Sequence, residues 1–251
     1  MDRDLLVYSK TYDDVENWFE KVNAKCRAQF VAKLFEKLKM KNVIEIGCGM
    51  HSTLAHFEGL ESGLIIEPIN RFISSAKIQL THIDCIDFEQ AKLEEYDKSF
   101  NADLVIVSCL LHEIVDKDLF LQKLGKLASS SLIHLNVPNA DSFHRLLAKK
   151  IGLIKEINSL SNLNRKNQVQ TVFDFNSLVA LLEKNGFEVL EKGGFGFKPF
   201  TNGQLYEIYV NGILSLELLA GLWEMHESIK SLYSEIYVNI KVKRSETIKR
   251  N

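Results

Sequence analysis

A chain of 251 residues is long enough to bury a substantial core, and its formal net charge of −2 gives it no general pull toward polyanions. Nucleic acid is therefore not an expected partner. With three prolines and no Gly/Ser-rich or single-sign stretch, residues 1–251 read as one domain: an N-terminal helical cap over 1–40, then an α/β body. Cys26, Cys48, Cys85 and Cys109 lie far apart in apolar patterns, without C-x-x-C spacing or a secretory signal. Buried free thiols in a reducing cytoplasm are expected, with no metal site. No apolar run approaches the ~18 residues of a membrane span, so no membrane partner is expected either.

From Asp13 to Leu38, Trp18, Val22, Cys26, Phe30, Leu34 and Leu38 recur every four positions, which predicts an amphipathic helix. Five short apolar runs follow, at 43–46, 64–67, 78–83, 103–108 and 132–136, with candidate helices at 52–58, 70–76, 88–93 and 117–128. That alternation predicts a parallel sheet with helices on both faces. Residues 138–171 break the pattern, being polar and basic where they leave the fifth strand. Ligands in open α/β sheets bind beyond the carboxyl ends of the strands, so this insertion is placed to cover a substrate. Phe173 to Asn185 then reads as a helix closed by Asn185-Gly186, Phe187 to Leu190 as a strand, about 203–232 as a long apolar helix, and Ile236 to Val242 as an alternating strand.

The most informative stretch is Val43-Ile-Glu-Ile-Gly-Cys-Gly-Met-His-Ser52, a buried strand running into a glycine turn. Gly47 and Gly49 tolerate positive φ and carry no Cβ, so backbone N–H groups there can approach a ligand closely. A nucleotide-type site also wants a following helix and an acidic residue about 20 positions on that takes ribose hydroxyls. Glu67, after Leu64-Ile65-Ile66, stands 20 residues beyond Gly47.

At these residues the chain resembles the class I S-adenosylmethionine-dependent methyltransferases, whose first motif is acidic-x-Gly-x-Gly-x-Gly. Glu45, Gly47 and Gly49 match; His51 stands at the third glycine. The resemblance implies a seven-stranded, mostly parallel Rossmann-like sheet with helices on both faces and an antiparallel last strand. It implies S-adenosylmethionine as cofactor, bound by Glu45, the Gly47-Cys48-Gly49 turn, Glu67 on the ribose, Asp84 with Cys85 at the adenine (Asp87 being the alternative), and Cys109. Asp103, which opens the fourth strand, reads as structural. In Ser108-Cys-Leu-Leu-His-Glu113, His112 falls where the family often faces the transferred methyl. An imidazole there can act as a general base, orient the acceptor, or only close the wall.

His144, Arg145, Arg165 and Lys198 are candidate acceptor ligands, since arginine's fork and lysine's point charge hold phosphate or carboxylate. Tyr8 and Tyr12 are candidate lid residues. Val137–Leu153 and Gly193–Asn202 are similar to bacterial methyltransferases of small-molecule and surface-glycan pathways, including those acting on phosphonate or capsular phosphoramidate oxygens. The expected activity is O-methylation of a small, anionic acceptor, in capsule biosynthesis by the narrower resemblance; a carboxylate, hydroxyl or amine of another metabolite is the alternative, and a homodimer is open. A nicotinamide-dependent dehydrogenase fits less well, because Ser52 occupies its third fingerprint glycine. A non-catalytic partner-binding subunit remains the third reading.

Overall fold

The computed structural model describes residues 3–14 and 17–243. Strands β1 (Asn42–Ile46), β2 (Ser62–Ile66), β3 (Ile86–Glu89), β4 (Leu104–Ser108) and β5 (Leu132–Pro138) run parallel. Strand β7 (Glu235–Val242) inserts antiparallel between β5 and β6 (Phe187–Phe195), giving a seven-stranded sheet in the order β3-β2-β1-β4-β5-β7-β6. This is the Rossmann-like arrangement expected.

The central strands read as continuous apolar runs because both faces of the sheet are covered. On one face Ile44, Ile66, Val105 and Val107 pack with α4 (Lys117–Leu127) and α7 (Phe175–Lys184) through Phe120, Leu124, Leu178 and Leu182. On the other, Val43, Ile65, Leu104 and Ile106 meet Val31 and Phe35 of α2 (Trp18–Phe35) and Phe72 and Ala76 of α3 (Asn70–Gln79). A short helix α1 (Leu5–Thr11) precedes α2, and α5 (Phe143–Lys150) and α6 (Asn162–Lys166) occupy the segment after β5.

Three expectations are corrected. Residues 78–83 are not the third strand: α3 runs to Gln79, Leu80 closes it and packs in the core against the sheet, and Ile78 is exposed. The strand is Ile86–Glu89, where a helix over 88–93 was expected; as an edge strand with only partial burial it lacks a strong apolar pattern. The long helix near 203–232 is two helices, α8 (Asn202–Val210) and α9 (Leu216–Glu224), broken where Gly212 takes φ +71°.

On α2 the fully buried stripe is Phe19, Asn23, Arg27, Val31 and Phe35, one residue away from the apolar repeat read from the sequence. Two polar side chains are thereby turned inward, toward the carboxyl ends of the strands.

Candidate active site

The glycine turn after β1 is built as the sequence suggests, although the helix expected over 52–58 is only a short 3-10 turn, Thr53–His56. Gly47 and Gly49 have φ +75° and +54°, and the Gly47 N–H donates to the Ile66 carbonyl at 2.9 Å. A Cβ on Gly47 would lie 2.9 Å from Leu110 Cδ2. Glu45 is buried and satisfied within the protein, accepting from Ser52 Oγ at 2.5 Å and the Thr53 N–H at 2.8 Å. It ties the chain beyond His51 back onto β1, so its main contribution is to the shape of the turn. Cys48 is buried beside it, and burial raises its thiol pKa far above normal.

Glu67, at the end of β2, accepts from the Ile69 N–H at 2.9 Å and the Gly49 N–H at 3.4 Å. Burial pushes its pKa up to about 7 against those two donors. A buried carboxylate with acceptor capacity left over suits hydroxyl donors.

Asp84 and Cys85 do not reach this site. They precede β3, at the amino end of the parallel strands, where the Cys85 carbonyl accepts from Gly63 N–H and the Cys85 thiol donates to the Leu60 carbonyl. Asp84 is exposed. The error follows from the misplaced third strand; the segment that follows β3, Ala91 to Leu93, lines the cavity instead. Asp103 caps the start of β1 through the N–H groups of Lys41 and Asn42, a structural role.

Beyond β4, Cys109 takes φ +54° and donates its N–H to the Asn136 carbonyl. His112 follows, buried, its carbonyl accepting from the N–H groups of Gln170 and Thr171 as the insertion returns. Burial first, then the charges of Arg3, Arg27 and Lys117, hold its pKa down to about 3. Its Nδ1 is buried without a hydrogen-bond partner. Glu113 beside it pairs with Arg3 at 2.6 Å, and Arg3 lies 3.4 Å over the Tyr8 ring. The Tyr8 and Tyr12 hydroxyls are 3.1 Å apart, and both rings meet Phe72 edge-on. The helical cap thus closes on the cavity, and both tyrosines line it.

The sequence reading missed Arg27. It is buried on α2, donates to Glu235 Oε1 and Oε2 from Nε at 3.0 and 2.8 Å, and reaches Glu20 from Nη2 at 2.9 Å. Asn136 Nδ2 completes the group by donating to Glu235 at 2.8 Å. Arg27, Glu20 and Glu235 all line the cavity. The available signal was a polar pair, Asn23 and Arg27, at helical spacing between large apolar residues.

His144, Arg145 and Lys198 do converge, close enough that Lys198 and Arg145, after burial, depress the His144 pKa well below normal. Arg145 is buried and donates only to neutral oxygens, the carbonyls of Ile157 (2.7 Å) and Ser159 (2.5 Å) and Asn164 Oδ1 (3.5 Å). Lys198 donates to Asn202 Oδ1 at 2.7 Å, and burial lowers its pKa to about 8. Arg165 is exposed at the cavity's rim. The Gly193-Gly194 pair that precedes Lys198 is structural: a Cβ at either would collide with the ring of Tyr237 or Tyr233.

The glycine turn, Glu67, Arg27, His112, His144, Arg145 and Lys198 border one cavity of about 1190 Å³. That exceeds the roughly 300–1,000 Å³ of an ordinary small-molecule site, leaving room for a cofactor and an acceptor together. Among the described residues no cluster has the makings of a metal site. The four cysteines are free, with Cys48 buried and the others half-buried.

Residues 18–192 match the family described as Methyltransferase domain, more than half of the chain. The chain belongs to the methyltransferase-domain family. No curated protein sequence matches it. Among solved structures this methyltransferase is similar to an S-adenosylmethionine-dependent methyltransferase of Clostridium acetobutylicum ATCC 824, at 8% identity and TM-score 0.59, over 94% of this chain and 98% of that one. It is also similar to the N-methyltransferase NodS of Bradyrhizobium japonicum WM9 in complex with S-adenosyl-L-homocysteine, at 12% identity and TM-score 0.54, over 93% and 91% of the two chains. The cyclase SpnF shares the fold as well, at 12% identity and TM-score 0.58, over 88% and 82%. The methyltransferase family is consistent with S-adenosylmethionine as cofactor, and the dehydrogenase reading is set aside.

Proposed function

We propose that this methyltransferase is an S-adenosylmethionine-dependent O-methyltransferase acting on a small anionic acceptor. The observation that carries the acceptor class is the convergence of Arg145 and Lys198 on one cavity with only neutral hydrogen-bond partners. Two desolvated cations that depress a neighbouring histidine are costly to hold together; Glu20 and Glu235 offset only part of that cost at Lys198, and an anion between the two cations relieves more of it.

When bound, S-adenosylmethionine supplies an electrophilic methyl group on a sulfonium, with a neutral thioether as the leaving group. The turn at Gly47 to Gly49, the Glu67 carboxylate and the Ala91 to Leu93 segment, which line one cavity, would hold the cofactor. Tyr8, Tyr12 and the insertion exclude water. Arg145 and Lys198 orient the acceptor, and positioning of this kind lowers a barrier by roughly 7–11 kcal/mol. An anionic oxygen already lacks its proton at neutral pH, so no base is required. His112, neutral with a pKa of about 3, is poorly matched to proton abstraction and suits an orienting contact.

The similarity of residues 137–153 and 193–202 to methyltransferases of surface-glycan pathways favours a phosphoryl oxygen, such as a phosphoramidate in capsule biosynthesis, over a carboxylate. The test is methyl transfer from labelled S-adenosylmethionine to matched acceptors bearing a phosphoramidate, a phosphate, a carboxylate or a neutral hydroxyl. Labelling of the phosphoryl acceptors is expected; labelling of the neutral hydroxyl alone would reject the proposal.

A further inference from the structure

Helix α5 is built inside out. Its polar residues His144 and Arg145 turn inward and line the cavity with Ala148. Phe143 is half-buried against Phe197, while the larger aliphatic residues turn outward: Leu146 and Leu147 are 38% and 37% exposed, and Ile151 and Leu153, just beyond the helix, are 62% and 66% exposed. At about 100° per residue Lys150 falls between Leu146 and Leu147, so the outer face is aliphatic with lysine set into it. A helix meant to face water shows the opposite pattern.

Charge identifies what covers this face. Residues 138–171 hold six basic residues against Asp141 and Glu156, in a chain whose net charge is −2. Lys149, Lys150 and Lys155 are exposed. Lys149 pairs with Glu156 at 2.6 Å, while Lys150 and Lys155 have no acidic partner among the described residues. Another exposed aliphatic group, Ile213, Leu216 and Leu218, has Glu207 and Glu217 for its charged neighbours in sequence. Leu38 is also exposed between two exposed lysines, Lys37 and Lys39, but as a single side chain; the α5 face sets four exposed aliphatic side chains beside exposed lysines.

We propose that the outer face of α5, with Ile151 and Leu153, docks on an anionic lipid surface. The aliphatic side chains enter the boundary between headgroups and acyl chains while the lysines meet lipid phosphates. Leu153 and Lys155 also line the cavity, so docking turns that part of its mouth toward the bilayer. The expectation of no membrane partner rested on the absence of a spanning run. Among the described residues no helix is long and apolar enough to cross a membrane, and surface docking requires none.

The test is co-sedimentation of the full chain with vesicles of phosphatidylcholine alone or containing phosphatidylglycerol. Binding to the anionic vesicles only is expected, falling as salt shortens the reach of the lysines. The double variant Leu147→Glu/Ile151→Glu, with unfolding temperature and cofactor binding retained, should bind them at least about tenfold more weakly. Ile213→Glu should bind as the parent does. Equal binding to both vesicle types, or undiminished binding of the double variant, overturns the proposal. So does a parent that binds no vesicles but forms a dimer which the double variant disperses, since the face would then belong to a second copy. None of these outcomes bears on methyl transfer to a free acceptor.

Discussion

The two halves of the cavity are built in different ways. The cofactor half consists of strand ends and one turn, with ligand groups fixed by backbone geometry: Gly47, Gly49 and Glu67 lie within 21 residues of one another. The half proposed for the acceptor is assembled from α1, α2, α5, the 139–172 segment, the chain after β6 and the start of β7, and its groups are long side chains brought together from distant elements. A site made of local backbone resists point changes except at its glycines and its carboxylate. A site made of converging side chains is tunable at every member.

The largest effect should come from the cluster that joins the acceptor half to the sheet. Arg27→Ala leaves the buried Glu235 without its cation and the half-buried Glu20 without its partner, and loss of one partner of a buried pair costs about 3–5 kcal/mol. Denaturant unfolding should show that loss; a change below about 1 kcal/mol would mean water already screens the cluster. In the cofactor half, Glu67→Ala should weaken S-adenosylhomocysteine binding by about 1–3 kcal/mol, read by calorimetry, because ribose hydroxyls lose their acceptor. The acceptor KM measured at saturating cofactor should stay unchanged. Lys198→Met should do the reverse, raising acceptor KM by roughly ten- to a hundredfold with cofactor affinity intact. A shift of both constants by either variant would dissolve the distinction between the halves.

The same distinction predicts opposite pH limbs. Burial raises Glu67 to about 7, so below that pH the carboxyl carries a proton and accepts poorly. Cofactor affinity should therefore fall as pH drops through 7 and level off above it. Burial lowers Lys198 to about 8, so its charge is lost as pH rises through that value, and acceptor KM should climb there. Glu67→Gln should flatten the first limb and leave the second. His112→Asn should have the smallest effect, lowering kcat by less than about tenfold without moving either limb; a loss of 100-fold or more would restore the histidine as a base.

How much of this was legible in the sequence follows from the same division. The glycine turn, Glu67 and the strand order could be read because each depends on neighbours in the chain, and buried parallel strands announce themselves as apolar runs. The third strand could not, since an edge strand needs little apolar surface and the end of α3 imitates an alternating one through Ile78 and Leu80. Asp84 and Cys85 were misplaced with it. Arg27 escaped because an arginine on a buried helical stripe is recognised only once Glu235, 208 residues away, is seen beside it. His144, Arg145 and Lys198 were legible as residue types, but their convergence comes from the fold.

The central claim is that one chain holds a sulfonium cofactor and an anionic acceptor in the same cavity. Its most direct test is methyl transfer to the phosphoryl acceptor by the parent, Glu67→Ala and Lys198→Met proteins. The account predicts labelled product from the parent, a defect of Glu67→Ala overcome by added S-adenosylmethionine, and a defect of Lys198→Met overcome only by added acceptor. No transfer by the parent to any anionic acceptor, despite binding of the cofactor, would contradict it.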